Sequence, residues 1–250
     1  MKPHAVVSRD EWIAARKQHL AREKELTRLR DQLSRERRDL PWERVDKTYV
    51  FEGPRGRETL ADLFEGRSQL IVQHFMFDPS WDEGCKSCSF WVDNFNDVTV
   101  HLNHRDVSFV LVSKAPLATL EAYRKRMGWT VKWVSSFDTD FNRDYGVSFT
   151  DEERAEQRAY YNYAMTTFPA PEAPGISVFY KDEQATVFHT YSCYARGLDM
   201  LNGAYHLLDL VPKGRDEEGL PHGMAWLRHH DRYEPEVVRV SGGLKRPGGG

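Results

Sequence analysis

Two of the three cysteines in this 250-residue chain, Cys85 and Cys88, stand three positions apart in FDPSWDEGCKSCSFWVDNF, residues 77–95. Only a thiolate attacks a disulfide or a peroxide, and a free cysteine with a pKa of about 8.5 offers little of it near neutrality. A helix that begins at Cys85 changes this, because its unpaired N–H groups and the positive end of its dipole favour the anion. One turn on, Cys88 returns to roughly the same side, where it can resolve a mixed disulfide into an intramolecular one. Cys85 is therefore the expected nucleophile and Cys88 the expected resolver. The acids of the preceding loop, Asp78, Asp82 and Glu83, work in the other direction by raising a nearby thiol's pKa. Two small buried hydrophobes are the competing reading. Against it stands the polar, turn-rich loop 78–84, which should leave Cys85 accessible.

Histidines open a second chemistry. His74 lies on the strand entering the loop, His189 on a later hairpin, and His229 and His230 near the C-terminus. Two thiolates with one or two imidazoles suit copper(I) or zinc. Cys85, Cys88, His74 and His189 thus form an alternative metal set with copper or zinc as its cofactor; the dithiol reading needs none. There is no second Cys-x-x-Cys and no pair of histidines with three to five residues between them, as local zinc ligands have, so the fold would have to assemble that set. Cys193 reads as an unpaired cysteine. A Walker loop, a Gly-x-Gly-x-x-Gly turn and a Gly-x-Ser-x-Gly elbow are all absent.

Composition limits the partners. The chain is 40% hydrophobic and 29% charged, with a formal net charge of −3. That balance suits a globular protein and exerts no pull toward nucleic acid or an anionic membrane. No apolar run reaches roughly 18 residues, so no membrane span is expected. The N-terminal MKPHAVVSRDEW lacks the apolar core of a secretory signal, which makes the cytoplasm the expected compartment. Thiols are mostly kept reduced there, and a close cysteine pair is then more often catalytic or metal-binding than structural.

The elements that must position these residues follow from pattern. Ser8 and Glu11 form a capping box for a helix over 8–38, in which Leu26, Leu29 and Leu33 share one face. This arm, 1–42, should pack on the main domain or on a second copy as a homodimer. A domain over 43–212 follows. Tyr49 and Phe51 alternate as in a strand, Gly53-Pro54-Arg55-Gly56 is a turn, and Thr59 with Asp62 can cap a short helix. SQLIVQHFMF (68–77) and VSFVLVS (107–113) are apolar enough to be central strands. A helix led by the cysteines lies between them. Pro116 opens a helix running to Met127, which Gly128 ends. TVKWVSS (130–136) is a third strand, shorter and more exposed. An insertion at about 137–173 holds one helix opening at Thr150, and GISVFYKDEQATVFHTYS is a hairpin. GLDMLNGAYHLLDL closes the domain as a helix. Residues 213–250 form an extension with a disordered Gly-rich tail.

Strands alternating with helices, then a hairpin and a helix, indicate an α/β fold: a mixed central sheet with helices on both faces. The stretches QHFMFDPSWDEGCKSCSFWVDNFN, MGWTVKWVSSFDTDFNRDYGVSF and VFHTYSCYARGLDMLNGAYHLLDLVPKGRDE resemble a family of bacterial thioredoxin-like proteins carrying the label "predicted dithiol–disulfide oxidoreductase". The resemblance runs from about residue 8 to 234. It implies a thioredoxin-like fold and a redox pair at Cys85 and Cys88, exchanging electrons with a protein or small-molecule thiol or disulfide. Pro174 falls where thioredoxin-like proteins place a cis-proline facing the dithiol, although an ordinary trans proline ending FPAPEAPG is the alternative. Trp81, Trp91 and Pro174 are expected to line the substrate approach. Cys193 occupies the variable position of HTYS-x-YARG. Lys86 and Ser87 stand between the cysteines, where thioredoxins have Gly-Pro. A peroxiredoxin-like peroxidase is a further alternative, but Asp82 stands where that family has the threonine that supports its attacking sulfur.

Overall fold

The computed structural model describes residues 4–234. The elements run α1 (Arg9–Arg38), β1 (Glu43–Arg44), β2 (Val50–Gly53), β3 (Gly56–Thr59), β4 (Gln69–His74), α2 (Lys86–Phe95) and α3 (Thr99–Asn103). Then come β5 (Val107–Ser113), α4 (Leu117–Arg126), β6 (Lys132–Ser135), α5 (Phe141–Asp144), α6 (Asp151–Ala155), β7 (Ala159–Tyr161) and β8 (Ala164–Thr166). The last are β9 (Gly175–Lys181), β10 (Val187–Tyr194) and α7 (Gly203–Leu208).

Eight strands form one sheet in the order β1-β10-β9-β4-β5-β6-β2-β3. β4, β5 and β6 are parallel neighbours, which requires a crossover between each pair. The helices α2 and α4 lie in those crossovers. On the far side of β4 the direction reverses: β9 runs antiparallel to it, and β10 antiparallel to β9. A strand–helix–strand unit at the centre, followed by an antiparallel hairpin and a final helix, is the thioredoxin-like arrangement. The β2–β3 hairpin extends the opposite edge, turning at Gly56, whose φ of +101° a side chain would oppose.

Both faces of the sheet are covered, as the unbroken apolar runs of β4 and β5 require. On the first face, Cys88, Trp91, Val92 and Phe95 of α2 and Leu120 and Tyr123 of α4 pack on Phe109, Leu111, Trp133 and Ile176. On the second face, Leu70, Val72, Val110, Val112, Val134 and Phe179 meet Phe51, Phe141 of α5, and Leu63 and Phe64. The last two belong to the short 3-10 turn Asp62–Phe64, which Thr59 and Asp62 brace reciprocally.

Three expectations need correction. β6 is short but not exposed: Trp133, Val134 and Ser135 are buried, because β2 covers its outer edge with Glu52 opposite Ser135. The closing helix is two pieces, a 3-10 segment Ala195–Leu201 and α7, parted at Asn202, whose side chain accepts from the Tyr205 N–H at 3.0 Å. The insertion also carries a second hairpin, β7–β8, beside the helix that Thr150 and Glu153 cap as expected.

Ser8 and Glu11 cap α1 as the sequence indicates, but none of its residues is buried. Leu26, Leu29 and Leu33 remain 67%, 50% and 49% exposed. The expected packing of this stripe on the main domain does not occur among the described residues. Near its end the Arg37 guanidinium sits over the Tyr191 ring, 4.8 Å from the centroid. Among the described residues no helix is long and apolar enough to cross a membrane. The Gly-rich tail lies outside the described residues.

Removing residues 1–38 should therefore leave the domain nearly as stable as before. Loss of an exposed cation–π contact costs about 0.5–1 kcal/mol, a fall in Tm of about 2–4 °C at most in a chain of this size. Trp133→Ala, which removes a fully buried ring packed on Phe75, Phe77 and Tyr123 of α4, should cost about 3–5 kcal/mol. Thermal unfolding of the two variants side by side checks the ranking. A truncated chain that melts as early as Trp133→Ala would contradict it.

Candidate dithiol site

The site is built where β4 ends. Beyond His74 the chain stays in the core through Phe75 and Phe77, and the Cys85 N–H donates to the Met76 carbonyl at 3.1 Å. That bond folds the loop back so that α2 starts directly after Cys85, its N-cap residue. Gly84 makes the approach possible: a Cβ there would lie 2.8 Å from Phe75 Cε1 and 3.1 Å from Tyr123 Cε1. Ser89 then secures the first turn. Its N–H and its hydroxyl both donate to the Cys85 carbonyl at 2.9 Å, and its Oγ lies 3.0 Å from the Tyr123 hydroxyl. Ahead of Gly84, the Asp78 carboxylate accepts from the Ser80 N–H and hydroxyl, closing an Asx turn.

None of the three cysteines is in a disulfide. Cys85 is half-buried and Cys88 is fully buried one turn behind it. No side chain caps the start of α2. The Cys88 thiol and the N–H groups of Cys88 and Ser87 face the Cys85 sulfur and pull its pKa down to about 7, against the opposing effect of burial. Burial, with the adjoining Cys85 sulfur, pushes the Cys88 thiol well above its ordinary value. One thiol is poised to ionise while its neighbour keeps its proton and donates. A nucleophile and a resolver need this division of roles.

The loop acids do not cancel it. Glu83 is held by Arg126 at 2.5 Å and by Arg232 at 2.8 Å. Burial opposes the Glu83 carboxylate, yet these partners keep its pKa below the usual carboxylate range. Asp82 is exposed. Arg232 belongs to a C-terminal strap. His229 donates from Nε2 to the Gly84 carbonyl at 2.9 Å, and its ring stands edge-on to Tyr123. Asp231 pairs with Arg126 at 2.8 Å, and His230 Nδ1 lies 2.8 Å from Asp93, which also accepts from the Trp129 indole. His229 thus braces the cysteine loop and His230 the helix that follows it, roles that no spacing in the chain announces.

The remaining expected residues fall in different places. His74 and His189 lie on the second sheet face: His74 packs on Phe141 and His189 on Phe179, while Cys88 belongs to the first. The metal set Cys85, Cys88, His74 and His189 is therefore not assembled, and among the described residues no three His, Cys, Asp or Glu gather as metal ligands. Trp91 is a core residue, 5% exposed, and does not line an approach to the sulfurs. Trp81 is half-buried on the cysteine loop and packs on the first-face core. Pro174 is preceded by a trans bond, since no cis peptide occurs among the described residues. Its carbonyl accepts from the Tyr161 hydroxyl at 2.8 Å. Burial raises the pKa of Tyr161, on β7, against the Ala195 N–H, which donates to its hydroxyl at 2.9 Å. Cys193 is buried in the first-face core.

One buried acid escaped the sequence reading. Glu172, in the loop before Pro174, is 1% exposed. It accepts from Asn142 Nδ2 at 2.8 Å and from the Ser148 hydroxyl, with Lys114 Nζ at 3.9 Å. Burial raises its pKa to about 7, with Asp78 of the cysteine loop adding a smaller push. An acid within a proline-rich loop reads as solvated, and nothing local signals otherwise.

With this geometry in view, the family described as "Bacterial protein of unknown function (DUF899)" matches residues 1–233. No curated protein matches the chain. Among solved structures, the peroxidoxin BcpB of Mycobacterium tuberculosis is similar at 11% identity and a TM-score of 0.41, over 63% of this chain and 86% of that one. The mitochondrial 2-Cys peroxiredoxin of Plasmodium falciparum is similar at 12% identity and 0.40, over 66% and 93%. A secreted Mycobacterium tuberculosis disulfide oxidoreductase is similar at 13% identity and 0.34, over 62% and 92%.

Glu172 generates a pH prediction. Its folded pKa, about 7, stands above the unfolded 4.5, so the folded state binds more protons across that interval and stability falls as pH rises through it. Glu172→Gln keeps the shape and removes the charge. The variant should gain on the parent between pH 4.5 and 7 and hold the gain above, by on the order of 3 kcal/mol at most. Urea unfolding at pH 5 and pH 8 reads this directly. An equal difference at both values would mean that Glu172 does not titrate there.

Proposed function

The chain belongs to that bacterial family, and from this premise we propose that it is a thiol–disulfide oxidoreductase whose working pair is Cys85 and Cys88. One observation carries the reading: a partly buried cysteine at a helix N-terminus, its thiol drawn to a pKa of about 7, with a protonated thiol fully buried behind it. In the reducing direction, the Cys85 thiolate attacks one sulfur of a substrate disulfide. The S–S bond breaks and the leaving sulfur departs as a thiolate that takes a proton from water. Cys88 then loses its proton and attacks Cys85 of the mixed disulfide. The second substrate sulfur leaves, and the Cys85–Cys88 disulfide remains. Two electrons pass from the dithiol to the substrate, and the reverse sequence oxidises a dithiol. Trp81 and Pro174 flank the approach in this proposal, and a protein or small-molecule disulfide is the substrate class.

Alkylation against pH tests the reading. With Cys85 half ionised near pH 7, iodoacetamide should modify it roughly tenfold faster there than an ordinary thiol, and native Cys88 should stay unmodified. Cys88→Ala removes the largest influence lowering the Cys85 pKa, so the alkylation midpoint should move up. Cys88→Ser should instead trap the mixed disulfide with a small disulfide probe. If wild-type Cys85 titrates near 8.5, or if mild oxidant forms no Cys85–Cys88 bond, the proposal fails.

A further inference from the structure

A second reactive arrangement lies on the sheet face opposite the dithiol. His189 and Ser192 are three apart on β10, a spacing that puts two side chains on opposite faces of a regular strand. The pairing register shifts between His189 and Tyr191: His189 opposes Phe179, and Tyr191 opposes Val178, so Thr190 is an extra, unpaired residue. The bulge turns both side chains to the same face, as bulges beside functional sites do. His189 Nε2 lies 2.7 Å from Ser192 Oγ, and His189 Nδ1 lies 3.3 Å from the Glu43 carboxylate of β1. A carboxylate on Nδ1 and a serine hydroxyl on Nε2 is the order that activates a serine for attack.

A buried histidine decides which way the protons run. Ser192 Oγ lies 2.9 Å from Ser177 Oγ, which lies 2.8 Å from His74 Nε2. His74 is 1% exposed, its Nδ1 has no hydrogen-bond partner, and burial lowers its pKa to about 3, so the ring is neutral. A neutral imidazole has one N–H. Placed on Nδ1 it would be a buried donor without an acceptor, the rarer and costlier defect. The proton therefore belongs on Nε2, which donates to Ser177. Ser177 then donates to Ser192, leaving the Ser192 O–H to point at His189 Nε2. His189 carries its own proton on Nδ1, toward Glu43. Every member of the chain is polarised in the same direction, which strengthens each link.

Ser192, 5% exposed, and His189 are among the residues lining a cleft of about 720 Å³ that is walled by Leu40, Tyr163, Tyr191 and Tyr194. We propose that Ser192 is a nucleophile activated by His189 and Glu43, and that this cleft hydrolyses small aryl esters. Ser192 Oγ bonds to the ester carbonyl carbon as its proton passes to His189 Nε2. The carbon–oxygen bond to the aryl group breaks, and the departing phenol takes that proton. Water then repeats the sequence on the acyl-serine, releasing the carboxylic acid and restoring the hydroxyl. No electron leaves or enters, and the dithiol takes no part.

A fluorophosphonate probe and p-nitrophenyl acetate test this on the full chain. The probe should add once, at Ser192 by peptide mapping, and Ser192→Ala should lose the adduct and at least tenfold of the nitrophenolate release. Should Ser192→Ala fail to fold, Glu43→Gln carries the test, because the Glu43 side chain is 78% exposed and its loss should not disturb the core. It should slow labelling at least tenfold. An unmodified Ser192 after hours with excess probe overturns the proposal, as does a Glu43→Gln labelling rate equal to that of the parent. Because the readout is an adduct on serine, it stands or falls separately from the behaviour of Cys85.

Discussion

The dithiol depends on where one helix begins. A thiolate next to an apolar core needs donors aimed at it, and a helix start supplies them only in its first turn. Three local constraints hold that start at Cys85. The Met76 carbonyl takes the Cys85 N–H, Gly84 slips between Phe75 and Tyr123 where no side chain fits, and Ser89 takes the Cys85 carbonyl from within the turn. If the start moved one residue, the Ser87 and Cys88 N–H groups would no longer meet the sulfur. The same geometry separates the two thiols, since Cys88 on the inner side of the turn enters the first-face core while Cys85 stays at its rim.

The charges around this helix start are arranged to leave its effect intact. Glu83, two residues before Cys85, would raise the thiol's pKa if its charge were unopposed. Arg126 comes from the end of α4 and Arg232 from the C-terminal strap, so the carboxylate is bracketed from two directions. Asp231 in turn occupies the other side of Arg126. His229 completes the brace through the Gly84 carbonyl. Residues more than 140 positions from Cys85 thus take part in setting its surroundings. Each exposed ion pair here is worth little alone; their value lies in fixing the loop whose backbone positions the sulfur.

How much of this was legible follows from the range of each interaction. The capping boxes at Ser8 and Thr150 involve partners three residues away, and both are found as read. β4 and β5 are uniformly apolar, and only a central strand buries both faces, so they were legible as well. The helix start at Cys85 was legible because a polar loop meets an apolar helix there. The strap was not, since His229 has no local pattern that announces Gly84. The β7–β8 hairpin was hidden for a different reason: it turns on Asn162 and Tyr163, both at positive φ, without the glycine that usually marks such a turn. β6 looked exposed because the chain gives no hint that β2 will add to its outer edge.

The bulge at Thr190 shows most clearly why pattern alone reached one face of the sheet and not the other. Cys193, Ile176 and Leu111 share the first-face core with α2. Strand alternation would divide His189 from Ser192. An extra residue in β10 can be known only from its pairing with β9, which is a contact across the hairpin and not a property of either strand. His74 compounds the difficulty, because its neutral state and its tautomer follow from an unpartnered nitrogen deep in the second-face core. An imidazole in a sequence suggests a metal ligand because ligation needs only the residue type. What His74 and His189 do here needs the register as well, and the register joins them through two serines and leaves the sulfurs on the far side of the sheet.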